Sequence, residues 1–478
     1  MATVTNAALV EALGKIVGAK NVLAQEEART KYANDQYWYA IAATGAEEPI
    51  SRPDVAALPE TSEQVAQIVR LANDLNVPIT PWGGGSGVQG AANADQGGIV
   101  LDVRGLKQIR KIDMKSLTCV VEAGKICRDF EEELNARGLS FTHYPASTEW
   151  ATIGGAIAAR GSGVLSSKYG KIEDHVLNLE FVTPTGELVN TPSVPRHAAG
   201  PELTQLLVGA EGTLGVITAA TVKLRALPKK RVFAAVSFSN LADGVEAGRR
   251  IMVSGLRPAV VRLYDAQAAM HSLSRAVETE LPDPTLVLMF DGQYPELVEL
   301  EAKTALDICK SLNGKILPES VSEIWWDKRY VFYYPPYAPE LPSIWGTVDV
   351  VADFEHIEAV YYATTKAIRD AVPEKWNLSL NTHFSHWYEW GSMIYARMKI
   401  PTGPANLKEA KQLHDDIIRA GIEAAMAAGA VMNDHHGVGL RLEPFMDAQY
   451  GSGGMSALSH IKHALDPKNI LCPGKLGL

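Results

Sequence analysis

One run of residues constrains this chain more than any other: Pro81-Trp82-Gly83-Gly84-Gly85-Ser86-Gly87-Val88-Gln89-Gly90. Successive residues without a Cβ let backbone N–H groups turn together toward one anion, so the run is a candidate phosphate nest. Gly85, Gly87 and Gly90 satisfy the pattern G-x-G-x-x-G. A Rossmann fingerprint would need a helix next. Here the chain continues Ala91-Ala92-Asn93-Ala94-Asp95-Gln96-Gly97 into a β-like piece, Gly98–Val103. A P-loop would need Gly-Lys-Ser/Thr, and Ala91 follows Gly90. A pyrophosphate held by this loop is therefore held in neither way. Taken alone, the run also reads as a glycine-rich surface turn.

It does not stand alone. Tyr144-Pro145-Ala146-Ser147 leads to Thr152-Ile153-Gly154-Gly155-Ala156-Ile157-Ala158. Gly161-Ser162-Gly163, Tyr169-Gly170-Lys171-Ile172-Glu173-Asp174 and Gly209-Ala210-Glu211-Gly212-Thr213-Leu214-Gly215-Val216-Ile217 follow. Most of these sites adjoin a β-like segment, and close backbone approach to one flat, extended ligand accounts for them together.

At 478 residues the chain is too long for one ordinary core, so two or three domains are expected. It is 46% hydrophobic and 21% charged, as a globular protein is. A net charge of −10 argues against nucleic acid as a partner, which needs a basic face. No run of eighteen apolar residues is present, so no membrane span is expected, and the N-terminal stretch lacks the pattern of a secretory signal. Cys119, Cys127, Cys309 and Cys472 show neither C-x-x-C spacing nor disulfide-scaffold density, which fits a reduced, cytoplasmic setting.

Apolar spacing predicts helices over Asn6–Ile16, Thr61–Leu75, Arg128–Arg137, Leu407–Ala428 and Ser456–Leu465. Strands are expected at Pro78–Pro81, Gly98–Val103, Thr118–Glu122, Leu177–Thr183 and Val216–Leu224. Helices and strands mix without a regular βαβ period, which points to α+β. Leu227-Pro228-Lys229-Lys230-Arg231 is a natural boundary, beyond which the composition turns aromatic (Trp325, Trp326, Tyr330, Phe332, Tyr333, Tyr334). That cluster reads as core or cavity wall.

The order of the glycine motifs resembles the FAD-binding domain of the vanillyl-alcohol oxidase and p-cresol methylhydroxylase superfamily. The likeness covers about Pro53 to Leu224 and extends to the ending Asn469-Ile470-Leu471-Cys472-Pro473-Gly474-Lys475. It implies FAD as cofactor, with Gly83, Gly84, Gly85, Ser86 and Gly87 at the pyrophosphate. Pro145, Ser147, Thr152, Gly154 and Gly155 would line the flavin, with Gly161, Ser162, Tyr169 and Ile172 nearby. Glu211, Gly212, Gly215 and Ile217 would lie along the adenine side. Members that link flavin covalently through the first loop carry histidine where this chain has Ser86, so no linkage is expected there.

In the C-terminal half, Arg262 lies in Arg262-Leu263-Tyr264-Asp265, and His383 and His386 in His383-Phe384-Ser385-His386-Trp387-Tyr388. Tyr395 follows, and Asp434-His435-His436-Gly437-Val438-Gly439 comes later. Arginine clamps a carboxylate or phosphate with two parallel bonds, and histidine or tyrosine moves a proton. Against these stand plainer readings: an ion-paired Arg262, a satisfied interior His383, a metal held by the histidines. The D-lactate dehydrogenase and glycolate oxidase branch has a metal-binding His-x6-His here; this chain has Trp390 and Met393 at the matching spacings, so no metal is expected. The alkyl-dihydroxyacetone-phosphate synthase branch is similar around His386, Tyr395, Arg262 and His435-His436-Gly437, but has a third histidine at Asp434. That branch implies Arg262 as a substrate clamp, with the tyrosine and histidines transferring protons.

The expected architecture is α+β: a two-subdomain FAD-binding domain over 1–226, a substrate-binding cap with an antiparallel sheet over 227–450, and a C-terminal segment over 451–478 returning to the FAD domain. The expected activity is an FAD-dependent oxidoreductase that removes hydride from a small hydroxylated substrate (a 2-hydroxy acid, alcohol or phenol). Its catalytic candidates are Arg262, His386, Tyr395, His435 and His436. The alternative is a synthase in which flavin forms a substrate adduct without net redox. The expected partner is a small-molecule substrate, not nucleic acid or membrane, with a homodimer left open.

Overall fold

Thr61 starts the first long helix. Its hydroxyl accepts the Gln64 N–H at 3.2 Å, and the helix runs Ser62–Leu75 before ending on Asn76 in a left-handed conformation. Its apolar stripe of Val65, Ile68, Val69 and Ala72 is buried against a four-stranded sheet. In that sheet Ile99–Asp102 lies between Val55–Ala57 and Ile79–Trp82, parallel to both, and Val22–Ala24 is antiparallel at the edge. The glycine run leaves the end of Ile79–Trp82, and no helix intervenes before Ile99. This computed structural model describes residues 6–194, 196–330 and 340–478.

A second sheet is antiparallel, ordered Ile109–Asp113, Thr118–Glu122, Val216–Lys223, Val176–Val182, Leu188–Asn190. It packs on the helices Cys127–Asn135 and Ile153–Ala158 through Phe130, Leu134, Ile153 and Ile157.

From Lys230 the chain enters a seven-stranded antiparallel sheet. Its order is Lys315–Ile316, Lys230–Ser237, Thr285–Gly292, Val260–Tyr264, Ser379–Trp387, Gly391–Ile400, Ile344–Asp353. Strand residues alternate between two faces. Val261, Leu263, Phe384, Ile394, Ala396 and Val350 join the largest core, packed against Leu241–Val253, Pro295–Ser311, Ile357–Ala371 and Leu407–Ala427. The other parity therefore turns away from these helices.

The C-terminal helix, Met446–Leu465, is longer than its apolar spacing predicts and breaks at Gly451, φ 67°. Gly451, Gly453 and Gly454 hide its first half, because glycine reads against helix. After it the chain returns to the first sheet: Ile79 N–H donates to Ile470 O at 2.7 Å and Cys472 N–H to Ile79 O at 2.9 Å. Lys462, buried, holds this return by donating to Asp466 Oδ2 (2.6 Å), Leu471 O (2.7 Å) and Thr213 O (2.9 Å).

Candidate active site

A cavity of about 470 Å³ separates the glycine loops from the face of the seven-stranded sheet that turns away from its helices. On the loop side, backbone approaches too closely for side chains. A Cβ on Gly83 would sit 2.4 Å from Thr152 Oγ1, and one on Gly84 1.8 Å from the Trp150 carbonyl. Gly85 has φ +63° and its Cβ would meet the Trp82 ring at 2.2 Å. The result is a wall of bare backbone. Gly83 to Gly87, Pro145, Ser147, Thr152, Gly154 and Gly155 all line it. Gly161, Ser162, Glu211, Gly212, Gly215 and Ile217 extend the same lining. Such an elongated, glycine-walled trough fits FAD.

Two residues expected nearby lie outside the lining. The Tyr169 hydroxyl donates to Asp291 Oδ1 at 2.7 Å, and Ile172 is fully buried in the second core. Ile172 N–H supports the wall from behind, donating to Gly161 O at 3.1 Å. Glu211 has a further task. Its carboxylate accepts the N–H groups of Val438 (2.5 Å) and Gly439 (2.8 Å), tying this loop to the turn that carries His435 and His436. Burial pushes its carboxyl up to about 7 against those two bonds.

On the sheet side, Arg262, His383, Tyr395 and Arg397 share one face by alternation. His386 reaches the same cavity by a different device. The register shifts between Ser385 and Trp387, and His386 has φ 51°. This bulge inserts one residue, so His386 lines the cavity while Trp387 returns to the helix-packed face. Burial, with Arg262 and Arg397 beside it, holds His383 well below the usual histidine range. The neutral ring accepts from Arg262 Nη2 at 2.5 Å through Nε2, and it stacks on Tyr395 at 4.9 Å. Trp325 joins the wall, its Nε1–H donating to the Tyr264 hydroxyl at 2.7 Å. Phe332, Tyr333 and Tyr334 lie outside the described residues.

Two buried carboxylates organise the histidines. Asp434 Oδ2 receives His386 Nδ1 at 2.9 Å, His435 Nδ1 at 3.0 Å and Ser162 Oγ at 3.3 Å, while Oδ1 receives the Tyr388 hydroxyl at 2.9 Å. Lys171 Nζ lies 3.9 Å away. Burial works against this charge, but Lys171 and the hydrogen bonds from His386 and His435 hold Asp434 well below the usual carboxylate range. Asp349 Oδ1 receives His436 Nδ1 at 2.8 Å. Ligand-type atoms of Asp349, His435 and His436, and of His386, Asp434 and His435, lie within 4.8 Å of one another. Most of these nitrogen–oxygen contacts are already hydrogen bonds.

All five catalytic candidates from the sequence, Arg262, His386, Tyr395, His435 and His436, line this one cavity. Sequence reasoning missed Asp349 and Arg397, and saw Asp434 only as a departure from a motif. Arg397 was within reach, two residues past Tyr395 and so on the same face. Asp349 pairs across the sheet with Tyr395, a neighbour no local pattern reveals.

Residues 53–192 match the family described as FAD binding domain, and residues 227–476 match FAD linked oxidases, C-terminal domain. The chain belongs to the FAD-linked oxidases. Its cofactor is FAD and it is an oxidoreductase-family flavoprotein. Among relatives, a mitochondrial D-lactate dehydrogenase (cytochrome) of Arabidopsis thaliana is 28% identical over 97% of this chain and 80% of that protein. Alkyldihydroxyacetonephosphate synthase of Trypanosoma brucei brucei is 28% identical over 89% of this chain and 73% of its own. An uncharacterized FAD-linked oxidoreductase of Escherichia coli, YgcU, is 26% identical over 99% of both. In fold, an alkyldihydroxyacetonephosphate synthase structure superposes with TM-score 0.78 at 23% identity, covering 97% of this chain and 84% of that one. Substrate-bound p-cresol methylhydroxylase gives 0.76 at 20%, covering 98% and 96%. No helix among the described residues is long and apolar enough to cross a membrane.

Proposed function

We propose that this FAD-linked oxidase acts on the CH–OH group of a small substrate, with the His435-His436 pair as the proton acceptor. The observation that carries the reading is the pair itself: both rings line the flavin-side cavity, and each is held through Nδ1 by a buried carboxylate. Fixing Nδ1 as a donor leaves Nε2 as the ring nitrogen able to take a hydroxyl proton. FAD, when bound along Gly83–Gly87, Thr152–Gly155 and Gly212–Ile217, supplies the acceptor for the hydride that leaves the same carbon. Arg262, steadied by His383, and Arg397, whose Nη2 donates to Ser272 Oγ at 3.0 Å, favour a 2-hydroxy acid over an uncharged alcohol or phenol. Tyr395, stacked among His383, His435 and His436, walls the space where the carbinol would sit. A reducing compartment is the proposed setting, supported by Cys119, Cys127, Cys309 and Cys472 all being free and buried.

Replacing both histidines by alanine tests this. Anaerobic flavin reduction by substrate should slow by about 10²–10⁴-fold with FAD content unchanged. Full occupancy and an unaltered rate in the double variant would move the proton-accepting role to Tyr395.

A further inference from the structure

We infer that Asp349 makes His436, and not the adjacent His435, the proton acceptor; this rests on the histidine-base reading above. The two rings sit 4.1 Å apart between centroids on one turn, and both face the cavity. Their carboxylates differ. Asp434 divides its charge among His386, His435, Ser162 and Tyr388, with Lys171 nearby as a counter-ion. Asp349 receives one hydrogen bond, from His436 at 2.8 Å, and its other oxygen is buried without a hydrogen-bond partner, 3.7 Å from His435 Nδ1. Among the described residues no lysine or arginine lies within 4.0 Å of Asp349.

A proton arriving on His436 Nε2 creates an imidazolium directly against Asp349, whose one hydrogen bond comes from this ring, and the carboxylate stabilises it. The same proton on His435 would rest on Asp434, already shared, with Asp349 Oδ2 farther off at 3.7 Å and His386 and His436 as neighbours. Burial and His436 accordingly push His435 down to about 4. The groups facing His436 are Asp349 from the strand Ile344–Asp353, Tyr395 from Gly391–Ile400 at 5.6 Å between rings, and His435 from its own turn. Behind the turn, Glu211 holds the Val438 and Gly439 amides. Beyond Asp349, buried Arg441 is engaged by Gln89 Oε1 and the Thr347 carbonyl. Asp349 is thus a positioning residue, acting on substrate through His436.

Asp349→Asn, His436→Gln and His435→Gln, each assayed as holoenzyme for anaerobic flavin reduction across pH, decide the matter. Asp349→Asn should keep FAD and its spectrum, reduce flavin about 10²–10⁴-fold more slowly, and move the acid limb of the rate profile to lower pH. The sign follows because removing a negative charge disfavours protonation of the ring, so the base stays neutral further into acid. His436→Gln should lose at least about tenfold more rate than His435→Gln. A slow His436→Gln beside an Asp349→Asn variant with wild-type rate and acid limb would overturn this inference and leave the histidine reading standing. Wild-type rates in both histidine variants would instead sink that reading. Should Asp349→Asn fail to fold, the wild-type holoenzyme decides by proton NMR. A strongly downfield Nδ1–H resonance that disappears in His436→Gln supports the assignment, and its absence from the wild type overturns it.

Discussion

At Gly437 there is no room for a side chain. The residue has φ +77°, and a Cβ there would lie 2.1 Å from Glu211 Oε1, inside the clamp that holds the histidine turn. Two constraints coincide: a left-handed backbone and a carboxylate packed against the α-carbon. Gly437→Ala should therefore cost roughly 1–3 kcal/mol of stability, as overpacked sites do, and slow flavin reduction at full FAD occupancy by displacing His435 and His436. Urea unfolding and the anaerobic reduction rate measure the two effects; neither changing would mean that Glu211 does not set the turn. The glycines were visible in the sequence, and so was Glu211, but their meeting across 226 positions was not. The family resemblance puts Glu211 along the adenine side. It lines the cavity, and its carboxylate also serves the opposite wall.

At the scale of elements, the site is one face of a sheet. The long helices were legible because their apolar periodicity is regular: Leu407–Ala427 and Ser62–Leu75 fall within a residue of their expected ends. Strands such as Thr118–Glu122 were equally plain. Less legible was which residues share a face across strands, since this depends on register set by long-range pairing. His383 stands opposite Tyr395, Asn381 opposite Arg397, and Asp349 opposite Tyr395 on its other side. The bulge at His386 was invisible for the same reason: an extra residue in one strand shows only against its partner. Arg397, on the same face as Tyr395 by alternation along one strand, gives an element-scale prediction. Arg397→Met should raise KM for hydroxy acids roughly 10–10²-fold, the worth of a charged hydrogen bond, while leaving uncharged alcohols little changed. Equal losses for both substrate types in steady-state assays would remove Arg397 from substrate binding.

Across the whole molecule, the cavity lies where three parts of the chain meet. The first sheet supplies Gly83–Gly87, the second supplies Gly215 and Ile217, and the seven-stranded sheet closes the opposite side. The C-terminal return, pinned by Lys462 and by the Ile79–Leu471 bridge, braces the strand from which the first loop departs. Ser86, on the cavity wall, offers no imidazole for linkage. Acid precipitation should release FAD into the supernatant, and flavin left in the pellet would show a covalent bond elsewhere. Trp390, exposed and stacked on Tyr388, cannot complete a His-x6-His site, and Met393 offers only a thioether. Activity should accordingly survive prolonged chelation; loss on chelation, restored by a stoichiometric divalent ion, would contradict that.

The central claim, that one cavity removes a proton and a hydride from a hydroxylated carbon, is tested most directly by anaerobic mixing of the holoenzyme with a panel of 2-hydroxy acids, alcohols and phenols. The account predicts loss of the oxidised flavin absorbance with a hydroxy acid and recovery of the matching 2-oxo acid, one per flavin reduced. Consumption of substrate with no net reduction of flavin and no oxidised product would contradict it.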